Sequence, residues 1–202
     1  MLGHLRPHVK WLKKLLARPY LFLGMSPNQV GLFGVVMASL AVFLFRFGFQ
    51  QSAFWVAMVA VLTDMADGEV ARETGRETPQ GNYLDAIGDR LRECILLIGL
   101  LPLAPDLVGL CLLGTCLTSF AKARCGLVIV MDNSDWKGLG DHADRAVLIL
   151  VCYCFAPLTL WPVVVLLLTT WSCFFIRVRT ALVKIRAAGS ENLLPYLRGA
   201  DE

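Results

Sequence analysis

The sequence predicts an all-α integral membrane protein with six transmembrane helices, preceded by an N-terminal amphipathic surface helix. Of its 202 residues, 56% are hydrophobic, and the mean hydropathy is +0.61. That apolar share exceeds what an ordinary soluble domain contains. The apolar residues gather in six segments, each near the ~20 residues that cross a bilayer core. Lys and Arg collect in alternate connections between these segments.

The six segments are separated by connections rich in Gly, Pro, Gln and Asn. Lipid offers no hydrogen-bonding partner to the backbone, so each segment is expected to be a helix. Their approximate bounds are 28–48, 52–72, 82–104, 107–130, 141–157 and 159–182. Ser26 and Pro27 suit the N-cap and the first position of the first of these helices.

Residues 1–20 form a different kind of segment, in which apolar and basic residues alternate at helical spacing. A basic amphipathic helix of this kind is expected to lie along the membrane surface. The apolar side holds Leu5, Val9, Leu12, Leu15 and Leu16, and the basic side holds Lys10, Lys13 and Lys14.

The basic residues also predict the orientation of the chain. They lie in the N-terminal segment, the second-to-third and fourth-to-fifth connections, and the C-terminal segment. By the positive-inside rule, these regions face the cytoplasm, so the span count is even. The net charge of +3 is small, and no nucleic-acid partner is expected. The seven Cys lie in apolar stretches without zinc-ligand spacing, which favours buried thiols.

Four carboxylates interrupt the second and third apolar segments. Asp64 and Asp67 are separated by three positions, and Asp85 and Asp89 by four, so each pair shares one helix face. A short loop joins the two helices, which brings the pairs together. A buried charge costs about 2.5–3.5 kcal/mol at the centre of a membrane, and such residues usually mark a function. All-oxygen ligation predicts a hard cation such as Mg²⁺, Mn²⁺ or Ca²⁺.

Small residues next to these carboxylates predict a groove. Gly68 and Ala71 would let a ligand approach the helix, and Arg72 could hold a phosphate. Three other interpretations stay open from the residues alone. The carboxylates could pair with neighbouring arginines, cap helix ends, or line the pathway of a divalent-cation transporter.

The pattern Asp64-x2-Asp67-Gly68-x2-Ala71-Arg72-x8-Gly81-x3-Asp85-x3-Asp89 resembles the signature of the CDP-alcohol phosphotransferases at every fixed position. The resemblance implies a membrane transferase that releases CMP from a CDP-linked lipid. It also implies a divalent cofactor, Mg²⁺ or Mn²⁺, and a homodimer. The family domain would cover residues 26–186, between the juxtamembrane helix at 1–20 and a cytoplasmic tail at 187–202.

The resemblance also implies a role for each residue of the signature. Asp64, Asp67, Asp85 and Asp89 would bind metal, and Asp89 would in addition act as the catalytic base. The CDP-linked donor would contact a set of residues around them, namely Asn28, Asp64, Gly68, Ala71, Arg72 and Thr78. The enzyme would then be a multi-pass protein of the inner or plasma membrane, with its termini and active site on the cytoplasmic side.

Basic residues near the fourth, fifth and sixth segments indicate an anionic acceptor. The Ser119-x2-Lys122-x-Arg124 stretch is similar to the family branch that uses inositol phosphate, here taken as inositol 1-phosphate, although Phe120 replaces the more common Tyr. The predicted acceptor-phosphate site consists of Ser119, Lys122, Arg124, Arg145 and Arg179. Glycerol 3-phosphate as acceptor, and transfer of inositol phosphate from CDP-inositol, remain alternatives. None of the three histidines, His4, His8 and His142, has the spacing of a metal ligand.

Overall fold

A computed structural model of the protein describes residues 6–129, 136, 140–155 and 158–188, with side chains from residue 11 onward. In these ranges it contains helices and no β-strand, so the all-α prediction is confirmed. The helices are α1 Arg6–Phe22, α2 Pro27–Arg46, α3 Gln50–Glu73, α4 Pro79–Leu100, α5 Pro105–Gly126, α6 His142–Phe155 and α7 Trp161–Ala187.

Each predicted apolar segment falls on one helix, α2 to α7, and the N-terminal segment falls on α1. Three helices, α2, α5 and α7, are long and apolar enough to cross a membrane. α3 and α4 carry the acidic residues of the signature, and α6 has only 14 residues.

Local capping determines where α2 and α4 begin. Ser26 accepts a hydrogen bond from the Gln29 backbone, and the Gln29 side chain accepts one from the Ser26 backbone, which makes a capping box. The Thr78 hydroxyl accepts a hydrogen bond from the Gly81 N–H at 3.0 Å. Proline follows each cap, as expected at the first helical position. These caps fix the first residues of α2 and α4. Both helices begin at the end of the molecule where α3 finishes.

Small residues allow α2 and α3 to approach closely. Because helix–helix contacts in a membrane depend on close packing, such residues are favoured at their interfaces. α2 also packs on α4, α5 on α7, and α6 on both α3 and α7. The fully buried small residues are Ala38 and Ala41 of α2, and Ala53, Ala57 and Ala60 of α3.

The N-terminal helix α1 docks on the last turns of α3. Ala17 is fully buried there, and the hydroxyls of Tyr20 and Thr63 are 3.1 Å apart. Lys14 forms a 2.9 Å ion pair with Glu73. α1 is therefore fixed beside the acidic end of α3.

The packing of α5 on α7 depends on Gly114. A Cβ at this position would lie 2.9 Å from Cγ2 of Thr170 and 3.3 Å from Nε1 of Trp171. We expect Gly114→Ala to lower the free energy of unfolding by about 1–3 kcal/mol, the usual cost of overpacking. Thermal unfolding in detergent measures the change. Gly109→Ala is the matched control on the same helix, because no described atom lies within 4 Å of its added Cβ. An equal loss of stability in both variants would contradict this explanation.

Candidate active site

The acidic residues of α3 and α4 converge on one buried guanidinium, that of Arg92. Its Nη2 donates hydrogen bonds to Oδ1 of Asp64 and, at 2.6 Å, to Oδ1 of Asp89. Its Nη1 lies 3.4 Å from Oδ2 of Asp67. The Arg92 side chain is only 4% exposed. Three of the four predicted metal-binding carboxylates thus surround a common point between two helices.

Two glycines of α2 pack against this cluster, whose side chains come from α3 and α4. A Cβ at Gly34 would lie 2.8 Å from Nη1 of Arg92, so only glycine leaves the guanidinium its position. A Cβ at Gly31 would lie 3.6 Å from Oδ2 of Asp67, an ordinary contact distance. The other oxygen of Asp67 accepts the backbone N–H of Gly68 at 2.7 Å. The backbone of two helices therefore positions the cluster.

The fourth carboxylate, Asp85, lies on the open side of the cluster. It is exposed and sits about one turn before Asp89 on α4. Its charge interacts with those of Asp64 and Asp67. Asp85 therefore lies between the buried cluster and solvent and does not join the other three carboxylates at Arg92.

A second buried cluster surrounds Glu93, the residue that follows Arg92 on α4. The Arg145 side chain is fully buried, and its Nε donates to Oε1 of Glu93 at 2.5 Å. Arg90 pairs with Oε2, and the Thr115 hydroxyl donates to Oε1 at 3.3 Å. This cluster joins α4, α5 and α6 below the carboxylates of the signature.

His142, the first residue of α6, links the two clusters. Its Nδ1 lies 3.2 Å from Oε2 of Glu93, and its Nε2 lies 3.4 Å from Oδ2 of Asp64. One ligand atom each from Asp64, Asp89 and His142 lies within 4.8 Å of the others. A cavity of about 20 Å³ adjoins this junction, lined by Asp64, Arg92, Glu93, His142 and apolar side chains.

Arg92, Glu93 and His142 were not predicted as site residues from the sequence. Arg92 and Glu93 follow Asp89 at positions i+3 and i+4, so they continue the acidic face of α4, and this spacing could have revealed them. No local pattern reveals His142, because its neighbours in the site come from α3 and α4.

The predicted donor residues lie at the end of the molecule where α2 and α4 begin and α3 ends. No described atom lies within 4 Å of a Cβ added at Gly68, so this side of α3 is open. The Arg72 side chain is 57% exposed and pairs with Glu69 at 3.0 Å. Thr78 caps α4, and Asn28 is exposed on the first turn of α2.

The predicted acceptor residues divide into three groups. Arg145 is committed to Glu93 and to the carbonyl of Gly140, at 2.6 Å. Ser119 and Lys122 are half-buried on one side of α5, and the Ser119 hydroxyl donates to the carbonyl of Thr115 at 3.3 Å. Arg124 and Arg179 are both exposed.

A basic residue outside the predicted set, Arg177, is close to Lys122. Its Nη1 donates to the carbonyl of Thr118 on α5 at 3.4 Å, about one turn before Lys122, and its Nη2 donates to Asp141 at 3.0 Å. On α7, Arg177 shares the buried side of the helix with Cys173 and Ala181, whereas Arg179 is exposed. The structure therefore brings together Lys122 and Arg177.

Two relatives of known name are similar in sequence to this chain over most of their length. The chain is 28% identical over 184 residues to an archaetidylinositol phosphate synthase of Pyrococcus horikoshii, covering 90% of this chain and 96% of that protein. It is 32% identical over 167 residues to a phosphatidylinositol phosphate synthase of Mycolicibacterium smegmatis, covering 75% and 71%.

Solved structures of the phosphatidylinositol phosphate synthase of Mycobacterium tuberculosis have the same fold. The form with manganese and citrate superposes with a TM-score of 0.67 at 26% identity, covering 86% of this chain and 88% of that one. The form with CDP-DAG bound has a TM-score of 0.62 at 26% identity, covering 86% and 92%. A family model described as CDP-alcohol phosphatidyltransferase matches residues 25–171. The chain belongs to the CDP-alcohol phosphatidyltransferase family and is a transferase, as its signature predicted.

Proposed function

We propose that this protein transfers a phosphatidyl-type group from a CDP-linked lipid to a hydroxyl of inositol 1-phosphate and releases CMP. The observation that carries the proposal is the convergence of three carboxylates of the acidic signature, Asp64, Asp67 and Asp89, on Arg92 between α3 and α4. The names of the curated relatives support the acceptor. An archaeal and a bacterial relative differ in the lipid they name, and both names contain inositol phosphate.

The charge of the cluster fits a divalent metal. Three carboxylates contact Arg92. Together with Asp85, the four carboxylates exceed this one guanidinium by three formal negative charges, and that excess favours binding of a divalent cation. Mg²⁺ and Mn²⁺ both accept carboxylate oxygens. Asp64, Asp67, Asp85 and Asp89 would hold the metal, and the relative that contains manganese supports this assignment. When bound, the metal would stabilise the charge that develops on the donor phosphates.

Asp89 is assigned as the base because of its position along α4. It lies about one turn deeper than Asp85, and one of its oxygens is held by Arg92 at 2.6 Å. The acceptor hydroxyl would give its proton to Asp89 as its oxygen attacks the donor phosphorus. A new phosphorus–oxygen bond then forms to the acceptor, the bond to the CMP oxygen breaks, and CMP leaves with the electron pair.

The donor would occupy the open side of α3. Gly68 and Ala71 are half-buried, and the open space beside Gly68 would accommodate the nucleotide. Arg72, whose side chain is 57% exposed, would turn from Glu69 toward the donor phosphates, with which a guanidinium forms strong charge-assisted hydrogen bonds. Asn28 and Thr78 border the same end of the groove.

The acceptor phosphate would bind beside Lys122. Ser119 and Lys122 lie on one side of α5, and Arg177 adds a second positive charge there. Arg145 would contribute by fixing Glu93 and the start of α6. Arg124 and Arg179 would face the phosphate only after a rotation of their exposed side chains.

We also propose how the chain lies in the membrane. The family and three apolar helices indicate a membrane protein, and six spans would follow if α3, α4 and α6 cross together with α2, α5 and α7. α1 would lie along the cytoplasmic surface, because its exposed Trp11 and Leu15 can enter the lipid headgroup region. The termini, the tail and the active site would then be cytoplasmic, and the enzyme would work as a homodimer.

Three other functions are alternatives that the experiments below distinguish from this one. Glycerol 3-phosphate is also an anionic polyol phosphate, and transfer of inositol phosphate from CDP-inositol would use the same metal site. A divalent-cation transporter would also place carboxylates inside a helix bundle. The family assignment favours transfer over transport.

The first test is release of CMP by purified protein with Mg²⁺ and CDP-diacylglycerol, comparing inositol 1-phosphate with glycerol 3-phosphate. We expect turnover with inositol 1-phosphate only. Asp89→Asn is the matched control: it should lose turnover by at least about a thousandfold, because the hydroxyl proton has no acceptor, and should still bind the CDP-linked donor.

Three outcomes contradict parts of the proposal. Turnover with glycerol 3-phosphate alone would keep the reaction and change the acceptor. Full activity in Asp89→Asn would reject the base assignment. Metal uptake into proteoliposomes without nucleotide, together with no CMP release, would favour a transporter.

Lys122 tests the acceptor site. We expect Lys122→Ala to raise KM for inositol 1-phosphate by about tenfold or more, with little change in KM for the donor, because Lys122 would contact only the acceptor phosphate. Arg186→Ala is a suitable control, since Arg186 is an exposed basic residue at the end of the same bundle. Equal increases in both KM values for Lys122→Ala would show that the residue acts on the whole site.

Arg92 tests the charge balance of the cluster. Arg92→Met removes the only charge that contacts all three carboxylates within the described residues. Breaking a buried ion pair typically costs about 3–5 kcal/mol. We therefore expect a lower unfolding temperature in a chelator and a larger rise on adding Mg²⁺ than in the unmodified protein. An unchanged unfolding temperature in the chelator would contradict this assignment.

A further inference from the structure

We propose that His142 is a nitrogen ligand of the divalent metal, completing a site with Asp64 and Asp89, and that Glu93 orients its ring. The inference rests on the proposed metal site of the transferase and adds a residue that lies outside the acidic signature. It also predicts that this protein prefers Mn²⁺ over Mg²⁺ more strongly than an all-carboxylate site would, because imidazole is a poor ligand for magnesium.

The distances around the His142 ring suit this role. Nε2 lies 3.4 Å from Oδ2 of Asp64, longer than a good hydrogen bond. Ligands about 2.1 Å from an octahedral metal lie roughly 3 Å apart when adjacent and about 4.2 Å apart when opposite. One ligand atom each from Asp64, Asp89 and His142 lies within 4.8 Å of the others. The His142–Asp64 distance is thus that of two ligands of one ion, and Asp89 lies close enough to join them after a small side-chain movement.

The other ring nitrogen is occupied by a carboxylate. Nδ1 lies 3.2 Å from Oε2 of Glu93, within hydrogen-bond distance. A ligating histidine usually donates its second N–H to a carboxylate or carbonyl, which fixes the tautomer and directs the free nitrogen toward the metal. Glu93 is itself only 3% exposed and is held by Arg145. The ring is thus oriented by a group that cannot easily move.

The start of α6 is fixed from several sides, so His142 has a defined position. Arg145 donates to the carbonyl of Gly140 at 2.6 Å, and the Gly140 N–H donates to Oδ2 of Asp144 at 3.1 Å. Gly140 has φ of +86°, and a Cβ there would lie 2.9 Å from the carbonyl oxygen of Thr169 on α7. Only glycine fits this turn, which places His142 beside α3 and α4.

The space next to the ring is also appropriate. The cavity of about 20 Å³ is lined by Asp64, Arg92, Glu93 and His142 together with apolar side chains. A cavity needs roughly 10–15 Å³ to admit one water-sized species. A metal held at the rim by Asp64 and His142 would therefore have room for one bound water or substrate oxygen on the buried side.

The test is binding of Mn²⁺ to purified full-length protein, free of any histidine tag, in a buffer without nitrogen ligands. Pulsed electron paramagnetic resonance detects coupling between Mn²⁺ and a directly bound imidazole ¹⁴N. We expect this coupling in the unmodified protein and in His8→Gln, which removes a histidine of the N-terminal helix. We expect it to vanish in His142→Gln, with Mn²⁺ affinity reduced at least about tenfold and Mg²⁺ affinity reduced less.

Two further variants separate ligation from simple ion pairing. His142→Arg keeps a positive charge between Asp64 and Glu93 but supplies no ligand, so it should not restore Mn²⁺ affinity. Glu93→Gln should weaken Mn²⁺ binding about 10- to 100-fold, as loss of an orienting carboxylate does, while the ¹⁴N coupling persists. Restored affinity in His142→Arg would overturn the inference in favour of an ion pair.

The outcomes distinguish this inference from the proposed function. Mn²⁺ binding that depends on Asp89 but has no ¹⁴N coupling would overturn the role of His142 and leave the carboxylate site intact. If Mn²⁺ does not bind at all, both the inference and the proposed metal-dependent reaction fail. A folded, monodisperse His142→Gln protein in detergent establishes that any loss comes from the site.

Discussion

The pairing of Arg92 with three carboxylates is the interaction on which the rest of the site depends. It lies between α3 and α4, and Gly34 of α2 leaves it room. Uncompensated, like charges at this depth would repel one another and separate the helices. One guanidinium removes part of that repulsion and leaves a net charge suited to a divalent ion. The helices can thus hold several carboxylates close together because the buried Arg92 guanidinium lies among them.

A second buried ion pair, between Glu93 and Arg145, lies next to the Arg92 cluster and fixes the position of α6. Glu93 and Arg145 join α4 to α6, and the same arginine also holds the turn at Gly140. Since both partners are buried, removing either would leave an unpaired charge away from water. This cluster contributes no residue to the acidic signature, yet it determines where α6 begins. A catalytic metal site in a membrane therefore needs a supporting layer of charges as well as its ligands.

The sequence predicted the helices and the acidic face well, because both depend on local periodicity. Apolar segments of about twenty residues and carboxylates at i,i+3 and i,i+4 spacing are visible without tertiary information. His142 and Arg177 could not be found in this way, since their partners lie on other helices. The sequence analysis named Arg179 and not Arg177, which lies two positions earlier at the same end of α7. Only the rotation of α7 against α5 distinguishes them.

The proposed donor and acceptor sites lie on different helices of the bundle. Lys122 lies on α5 and Arg177 on α7, whereas the open groove at Gly68 lies on α3. A donor bound along α3 and an acceptor bound beside Lys122 would therefore approach Asp89 from different helices. An in-line displacement requires the attacking hydroxyl and the departing CMP oxygen to lie on opposite faces of the phosphorus. Separate donor and acceptor regions with the carboxylates between them would satisfy this requirement as well as the balance of charge.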